Sequence, residues 1–384
     1  MKLEGIRVID LSVFLPGPYL TLALADHGAE VIKVENPDQG DPGRRIQPSE
    51  QGETVFFRNL NRGKRSVCLD LKSGEGRESL LKLCETADIF VESFRPGVME
   101  RLGIEYEQIR LRNERIIYCS ISAYGQTGPY RDRPAHDLGI EAVSGLLAMT
   151  LGEDDRPALP GVPVSDLLAG LQGLAGVLMA LYRRQQTGLG DYIDISMHDA
   201  TLAGCLNILG PAMSEGRHPI AKHERTTGGS AFYRTYQTRD GRYIALAGQE
   251  SKFVRLLLDA LGCPELIPLC EQGPGPHQQP VIKRLARHFK EHDLTHWDAL
   301  LGKLNICYSA VKTLPEALED PNAIARAMVW RDADGLTHIG NPIHFRNEPA
   351  QLRLKPPKLG ADNSTLLDPT TTPPNVSEEG NPHG

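Results

Sequence analysis

The sequence predicts an α/β protein whose core is a parallel β-sheet covered by helices on both faces. Three observations support this fold class. Six short runs rich in β-branched residues occur within the first 200 residues, several of these runs are apolar throughout, and helical patterns lie between them. Strands and helices that alternate in this way indicate a doubly wound sheet. The predicted strands are residues 6–11, 30–34, 66–71, 88–91, 116–120 and 192–196.

The predicted helices of this region are residues 18–26, 75–85, 165–185 and 198–214. The third helix carries leucines at positions 167, 168, 171, 174, 178 and 181, a spacing that suits a helix buried along much of its circumference. Its most apolar stretch, residues 167–182, has 16 residues and includes Gln172. A membrane-spanning helix needs about 20 apolar residues, so we expect no membrane span.

Composition narrows the class of protein further. The 384 residues include 42 Lys and Arg against 49 Asp and Glu, a formal net charge of −7 that argues against a dedicated nucleic-acid binder. The seven cysteines are scattered and form no C-x-x-C pair, which argues against a disulfide framework or a zinc knuckle. The first residues lack the apolar core of a signal peptide. We therefore expect a cytoplasmic protein that binds neither nucleic acid nor membranes.

A second, smaller domain is expected after residue 215, where a polar stretch at 215–229 reads as a linker. Residues 233–247 predict a hairpin that closes near Asp240 and Gly241, and amphipathic helices follow at 252–261, 281–292 and 295–304. The predicted division is residues 1–215 for the large domain, 216–304 for a small α+β domain and 305–354 for a return to the large domain. Within the return, residues 315–329 predict a helix and 339–345 a strand, and residues 355–384 predict a disordered tail.

The common motifs for nucleotide binding, G-x-G-x-x-G after the first strand and the Walker loop, are absent, and so is the nucleophile motif G-x-S-x-G. The turn at residues 15–18 (LPGP) leads into a helix, and the N-terminus of that helix can bind an anion. The alternative is that this segment is only a tight turn between strand and helix. Residues 61–66 (NRGKRS) hold three cations around a glycine, which suits a phosphate group but also a solvated basic turn. The segment at 94–97 (FRPG) allows the same two interpretations.

One carboxylate stands out among the candidate reactive groups. Asp166 begins the long apolar helix, where the helix dipole favours its anion and apolar surroundings disfavour it. This is a suitable place for a nucleophile or a base, although an aspartate that caps the helix fits the same pattern. His136 and Asp137, at the start of another helix, leave the same choice open. Residues 288, 292 and 296 are histidines at helical spacing, but their charged neighbours indicate a polar helix face, so we assign no metal.

Several segments, taken in order, resemble the class III CoA-transferase superfamily (CaiB/BaiF type), which includes the alpha-methylacyl-CoA racemases. The resemblance extends from about residue 3 to residue 329. It rests on LEGIRVIDLS at 3–12, GAEVIKVE at 28–35, NRGKRS at 61–66, FRPG at 94–97, YGQTGP at 124–129 and DISMHD at 194–199.

The resemblance implies a Rossmann-like large domain, a small domain between its two parts, and an interlocked homodimer with active sites shared between subunits. It implies a CoA thioester as co-substrate and no tightly bound cofactor. Asp166 matches the catalytic aspartate of the family. The residues that the resemblance implies for CoA binding are Asn61, Arg62, Lys64, Arg65, Phe94 and Arg101, with Met197 near the thioester.

Two activities share these residues. In a transferase, Asp166 attacks the acyl-CoA thioester and CoA passes to a carboxylic acid through an aspartyl intermediate. In a racemase, His136 and Asp166 act as bases on opposite faces of the α-carbon. Asp137 forms a pair with His136. Glu250 lies at the position of the glutamate that orients the histidine. The insert at residues 38–59 and the helix start DLLAG at 166–170 resemble the transferases. We therefore predict a CoA-transferase first, a racemase second and a CoA-ester-binding protein without turnover third.

Overall fold

The structure, a computed structural model, describes residues 1–367, and these form two compact units. Of the described residues, the large unit contains Met1–Ser144, Val162–Thr201 and residues 324–367. The small unit contains Gly145–Gly161 and Leu202–Ala323. Each unit has its own hydrophobic core.

The structure contains strands in both units. In chain order they are β1 (Arg7–Asp10), β2 (Glu30–Glu35), β3 (Ser49–Glu50), β4 (Glu53–Thr54), β5 (Arg65–Cys68), β6 (Ile89–Glu92), β7 (Ile117–Ser122), β8 (Asp191–Ser196), β9 (Tyr233–Gln237), β10 (Tyr243–Ala247), β11 (Tyr308–Ala310), β12 (Val329–Arg331) and β13 (Thr337–Ile339).

The α-helices of the described residues follow the same chain order. They are α1 (Pro16–Asp26), α2 (Val55–Asn61), α3 (Gly74–Glu85), α4 (Val98–Leu102), α5 (Tyr106–Arg112), α6 (Asp137–Val143), α7 (Leu146–Met149), α8 (Val164–Thr187), α9 (Met197–Gly204), α10 (Gly210–Glu215), α11 (Ser251–Ala260), α12 (Ile267–Glu271), α13 (Gln279–Phe289), α14 (Leu294–Leu301), α15 (Leu314–Leu318), α16 (Pro321–Ala325) and α17 (Asn363–Leu366). Short 3₁₀ helices cover Pro42–Arg45, Cys205–Asn207, Ala221–His223, Pro264–Leu266 and Pro276–Gln278.

The large unit is built on a six-stranded parallel sheet in the order β5-β2-β1-β6-β7-β8. Successive residues of a strand point to opposite faces, so Val8 packs in the layer of α1 and α8, whereas Ile9 packs in the layer of α3 and α5. Both faces of the sheet are therefore buried, which explains why several strands are apolar throughout. The predicted parallel α/β sheet is confirmed, and each predicted strand overlaps one strand of this sheet.

Helix α8 covers the sheet beside α1, β7 and β8. A Cβ at Gly170 would lie 2.7 Å from the Pro16 carbonyl oxygen, so the glycine lets the two helices approach closely. Helix α8 has 24 residues, so it is longer than the 16-residue apolar stretch from which we expected no membrane-spanning helix. It is the one helix among residues 1–367 that is long and apolar enough to cross a membrane by length and composition alone. Its inner side packs on the sheet, as expected of a crossover helix.

The small unit has a three-stranded antiparallel sheet in the order β11-β10-β9. Its core joins Tyr236 and Ile244 of the sheet to Leu257 of α11, Leu285 of α13 and Trp297 of α14. The hairpin predicted at 233–247 is confirmed, and it turns at Gly241, which has φ +77°. The three predicted amphipathic helices correspond to α11, α13 and α14 within three residues at each end.

The unit boundaries differ from the predicted ones. Residues 202–215 and 305–323, predicted in the large domain, lie in the small unit, together with residues 145–161. The helix predicted over 198–214 is interrupted, because α9 ends at Gly204, a 3₁₀ turn follows and α10 begins at Gly210. The helix predicted over 315–329 is likewise two short helices and the start of β12, since Pro321 begins a new helix.

The chain end also corrects two predictions. The strand predicted at 339–345 is only the end of β13, because the chain reaches Pro342 three residues later. Residues 355–367, predicted as part of a disordered tail, are ordered against β5, where Asp362 accepts hydrogen bonds from Arg65 Nε and Ser66 N at 2.9 Å each. The rest of that prediction, residues 368–384, lies outside the described residues.

Candidate active site

The start of α8 brings three carboxyl groups together. Asp166 lies in the first turn of α8, and Asp137 and Glu141 lie one turn apart on α6, which packs against α8. Glu141 is fully buried, whereas Asp137 and Asp166 are half-buried. Three acidic side chains at one helix N-terminus make this the strongest candidate for a reactive site in the large unit.

Asp137 and Glu141 satisfy the first backbone N–H groups of α8. Asp137 Oδ1 accepts from Ser165 N at 2.7 Å and from Asp166 N at 3.2 Å, and Glu141 Oε1 accepts from Val164 N at 3.2 Å. The residue that precedes the helix, Pro163, has no side chain that can cap it. Asp166 is therefore not the cap of its own helix, and the alternative role considered from sequence is excluded.

The Asp166 carboxyl group accepts no hydrogen bond from the residues that the structure describes. Burial, and then the negative charges of Asp137 and Glu141, raise the pKa of Asp166 to about 7. The helix dipole alone would favour the anion, but the two neighbouring carboxylates oppose it. Burial and the Asp137 carboxylate also hold the pKa of Glu141 above its usual range. Asp166 thus combines a free carboxyl group with a pKa near neutrality.

His136 directly precedes α6 and is exposed. Its ring meets the edge of Phe14, with 6.4 Å between ring centroids. Phe14 has φ +63°, a left-handed conformation that is strained for a bulky side chain and that often marks a functional turn. No carboxylate among residues 1–367 forms an ion pair with His136, and Asp137 accepts from backbone N–H groups of α8 instead.

Glu250, the fourth predicted catalytic residue, lies in the small unit. It precedes α11 as the N-cap residue, and its backbone carbonyl accepts from Phe253 N at 2.9 Å. Its side chain is exposed and makes no capping hydrogen bond. The structure therefore groups Asp137 and Asp166 with Glu141, which the sequence analysis did not name.

The charged side chains of the basic segment at 61–66 make contacts within the protein. The Lys64 side chain is fully buried and donates from Nζ to Asp10 Oδ2 at 3.1 Å, Thr21 Oγ1 at 2.7 Å, Asn61 Oδ1 at 2.9 Å and the Pro18 carbonyl at 3.2 Å. A buried ammonium surrounded by four protein acceptors has no donor left for a phosphate, so these contacts argue against the predicted CoA contact of Lys64. The predicted CoA contact of Asn61 stays a prediction.

The two arginines of this segment are also engaged within the protein. Arg62 is buried and pairs with Asp26 at 2.8 Å, and Arg65 pairs with Glu30 at 2.8 Å and Asp362 at 2.9 Å. Both guanidinium groups therefore form internal ion pairs, and their predicted contact with CoA stays a prediction. Met197, predicted near the thioester, is buried in the core of the large unit.

Phe94 and Arg101, in contrast, lie where a ligand can reach them. A cavity of about 240 Å³ lies at the carboxyl ends of β1, β2, β5 and β6, and Phe94 lines it together with Leu11, Leu69 and Leu102. The carboxyl ends of parallel strands are the usual place for ligand binding in open α/β sheets. Arg101 is exposed, and its side chain has no hydrogen-bond or ion-pair partner within residues 1–367.

Arg131 is a candidate binding residue that sequence analysis missed. A Cβ at Gly97 would lie 3.2 Å from Arg101 Nη1 and 3.8 Å from Arg131 Nη2, so the two guanidinium groups converge on a glycine with φ +79°. Arg131 Nε donates to the Gln126 carbonyl at 3.0 Å and its Nη1 pairs with the exposed Asp132 carboxylate at 3.0 Å, whereas its Nη2 faces Gly97. Two arginines above a bare backbone suit a phosphate or diphosphate. Arg131 lies 30 residues after Arg101 in the sequence, so no local pattern indicated that the two side chains lie together.

No group of three or more potential metal ligands occurs among the described residues. His292 and His296 stack with 3.9 Å between ring centroids, and His288 lies 3.6 Å from the Glu291 carboxylate. The histidine series is therefore part of a polar surface in the small unit.

Comparisons with known proteins agree with one another. The family model for CoA-transferase family III matches residues 3–363. The chain is 34% identical over 378 residues to an acetyl-CoA:oxalate CoA-transferase of Acetobacter aceti, covering 94% of both chains. It is 31% identical over 383 residues to a succinate–glutarate CoA-transferase of Agrobacterium fabrum, covering 95% of this chain and 94% of that one. A crystal structure of a CaiB/BaiF family protein from Brucella suis matches with a TM-score of 0.84 and 29% identity, over 95% of this chain and 99% of that one.

Proposed function

Because this chain belongs to CoA-transferase family III, we propose that it moves CoA from an acyl-CoA thioester to a free carboxylic acid with Asp166 as the nucleophile. Membership of the family makes the protein a CoA-transferase. The assignment of the nucleophile rests on one observation: Asp166 has a half-buried carboxyl group that is free of internal hydrogen bonds within the described residues, at a helix N-terminus already capped by other residues.

The proposed reaction exchanges acyl bonds in balanced steps. The Asp166 carboxylate attacks the thioester carbonyl, the CoA thiolate leaves, and a mixed anhydride forms. The thiolate then attacks the aspartyl carbonyl and releases the donor acid, which leaves an aspartyl-CoA thioester. The acceptor carboxylate attacks that thioester and expels the thiolate, which finally attacks the acceptor's carbonyl and frees Asp166. Each step forms one acyl bond and breaks one, so neither water nor a net proton is consumed.

CoA itself is proposed to bind on the large unit at the carboxyl edge of the sheet. The cavity beside Phe94 is apolar and suits the adenine ring, whereas Arg101 and Arg131 converge where a diphosphate or the 3′-phosphate would find bidentate donors. Arg101 is among the predicted CoA-binding residues, and we propose Arg131 as a second phosphate-binding residue beside it.

The acceptor is proposed to be a small carboxylic acid. The relatives named above are an acetyl-CoA:oxalate and a succinate–glutarate CoA-transferase, so acetyl-CoA and succinyl-CoA are the first donors to test, and oxalate and glutarate the first acceptors. Incubation of each donor with each acceptor should give the acceptor's CoA thioester, detected by mass spectrometry. We expect no product without an acceptor.

A second incubation separates transfer from racemisation. A chiral 2-methylacyl-CoA in deuterated water should keep its α-hydrogen and its configuration, because attack of a carboxylate on the thioester carbonyl removes no proton from the α-carbon. Deuterium at the α-carbon without an acceptor acid would contradict the transferase assignment and support the racemase alternative. Acceptor-dependent thioester formation without such exchange supports the transferase.

We also propose that two copies of the chain form a homodimer. The outer side of α8 exposes Leu171, Leu178, Met179 and Tyr182, which recur at helical spacing, and Met179 and Tyr182 are 66% and 68% exposed. Light scattering should give twice the mass of one chain, and Met179→Asp should produce monomers. Leu111→Asp is the matched control, because Leu111 is 75% exposed and lies on α5, away from this apolar side. A monomeric wild-type protein would contradict the proposal.

A further inference from the structure

The first turn of α8 is held by a buried carboxyl group that the proposed chemistry does not use. Glu141 is fully buried, and its Oε1 accepts from Val164 N at 3.2 Å. Its second oxygen, Oε2, is buried and accepts from no N–H or hydroxyl donor in the part of the chain that the structure describes, and the Glu141 carboxyl group lies within hydrogen-bond reach of the Asp137 carboxyl group. Burying a carboxyl group that has one backbone donor costs free energy. This cost indicates that Glu141 has a role in the surrounding site.

The geometry shows what Glu141 does for the helix. The first intrahelical bond of α8 runs from Leu167 N to the Pro163 carbonyl at 3.2 Å, so the three preceding N–H groups need outside acceptors. Asp137 satisfies two of them and Glu141 satisfies the third. Because Pro163 offers no cap, the direction of the first turn, and with it the position of the Asp166 side chain, depends on these two acids.

We propose that Glu141 is a positioning residue that fixes the first turn of α8 and sets the charge around Asp166. This inference rests on the proposed role of Asp166 as nucleophile. The ionisable groups that act on Asp166 are Asp137 and Glu141 from α6. From α1, the other element packed here, uncharged Pro16 and Tyr19 contact the next turn of α8.

Charge and geometry can be separated by two substitutions. In Glu141→Gln, the amide oxygen still accepts from Val164 N, but the negative charge is gone. In Glu141→Leu, a side chain of similar size preserves the packing but removes both the hydrogen bond from Val164 N and the negative charge. If Glu141 acts through its charge as well as its hydrogen bond, the first variant changes the titration of Asp166 and the second also disturbs the helix start.

The experiment measures the titration of Asp166 directly, by infrared difference spectra of protonated carboxyl groups as a function of pH. Asp166→Asn identifies the band of Asp166 by its loss. Because the pKa of Asp166 is raised to about 7, wild-type protein should show a midpoint near that pH for the band. In Glu141→Gln, the midpoint should fall by about 0.5–1 pH unit, because a like charge beside the carboxyl group has been removed. The unfolding temperature of this variant should stay close to that of wild type.

Steady-state kinetics give the second readout. Glu141→Leu should lower kcat by about tenfold with KM for acyl-CoA unchanged, and Glu141→Gln should restore kcat to within about threefold of wild type at a pH of about 8. An unchanged Asp166 midpoint in Glu141→Gln, or wild-type kcat in Glu141→Leu, would overturn the inference. The infrared measurement needs no turnover. If Asp166 were not the nucleophile, transfer would survive in Asp166→Asn while the effect of Glu141 on the Asp166 band could still be decided.

Discussion

Replacement of Asp166 by Asn should lower kcat for CoA transfer by about 10³–10⁴-fold or more, the loss typical when a covalent nucleophile is removed. The asparagine side chain would keep the shape of the aspartate, and the hydrogen bond from the backbone N–H at this position to Asp137 would remain. An amide oxygen, however, cannot displace a thiolate. Steady-state transfer assays with each donor and acceptor pair measure the effect.

Mass spectrometry of the intact protein provides an independent check of this prediction. Wild-type protein incubated with acyl-CoA and denatured quickly should carry an adduct on the peptide that contains Asp166, and Asp166→Asn should carry none. An adduct on another residue, or transfer above about one tenth of the wild-type rate in the variant, would contradict the assignment.

Arg131→Gln is the control that separates chemistry from binding. Its side chain lies at the predicted phosphate position and not at the carboxyl cluster, so it should raise KM for acyl-CoA by about tenfold and leave kcat unchanged. Arg101→Gln should behave in the same way. A fall in kcat without a change in KM would contradict the phosphate role of these arginines.

The pH dependence of transfer follows from the same geometry. The nucleophile must be ionised, and burial with two neighbouring acids raises the pKa of Asp166 to about 7, so kcat should rise with pH through about 7. The effect on stability has the opposite sign. A carboxyl group whose pKa is raised on folding stabilises the folded state most at low pH, and this contribution is lost as pH rises through the folded pKa. Asp166→Asn should therefore unfold at a higher temperature than wild type at a pH of about 8.

The parts of this protein that sequence predicted are those with local signals. Buried parallel strands are short and apolar on both faces, so β1, β2, β6 and β7 could be located from neighbouring residues alone. Asp166 could be singled out for a similar reason, since it opens a long apolar helix. The break within the helix predicted at 198–214 was missed, because the apolar spacing continues beyond Gly204, where α9 ends.

The roles that sequence could not predict depend on partners far away in the chain. A cap is expected from the residue before a helix, yet α8 is capped from α6 by Asp137 and Glu141, 23 or more residues earlier. Likewise, a run of cations beside a glycine fits phosphate binding or internal ion pairing equally well. For Lys64 the choice is decided by Asp10, which lies 54 residues away on β1.

Replacement of Lys64 by Met should destabilise the fold by about 3–5 kcal/mol, the usual cost of breaking a buried ion pair by removing one partner. Both side chains of the Lys64–Asp10 pair are fully buried. Although burial alone would raise it, Lys64, then Lys33 and hydrogen bonds from Ser12 and Thr21 lower the pKa of Asp10 to about 2, so Lys64→Met removes the strongest stabilisation of the buried Asp10 carboxylate. Urea denaturation followed by circular dichroism measures the change.

Lys2→Met is the matched control, because Lys2 pairs with Glu348 at 2.6 Å on the surface, where such a pair contributes about 1 kcal/mol or less. Adding Asp10→Asn to Lys64→Met should recover part of the lost stability, since the unpaired charge is then gone. The same variants separate the two interpretations of the basic segment. If Lys64 bound a CoA phosphate, Lys64→Met would raise KM for acyl-CoA and leave the free energy of unfolding unchanged. The buried pair predicts the reverse, a large loss of stability with KM unchanged in the protein that remains folded.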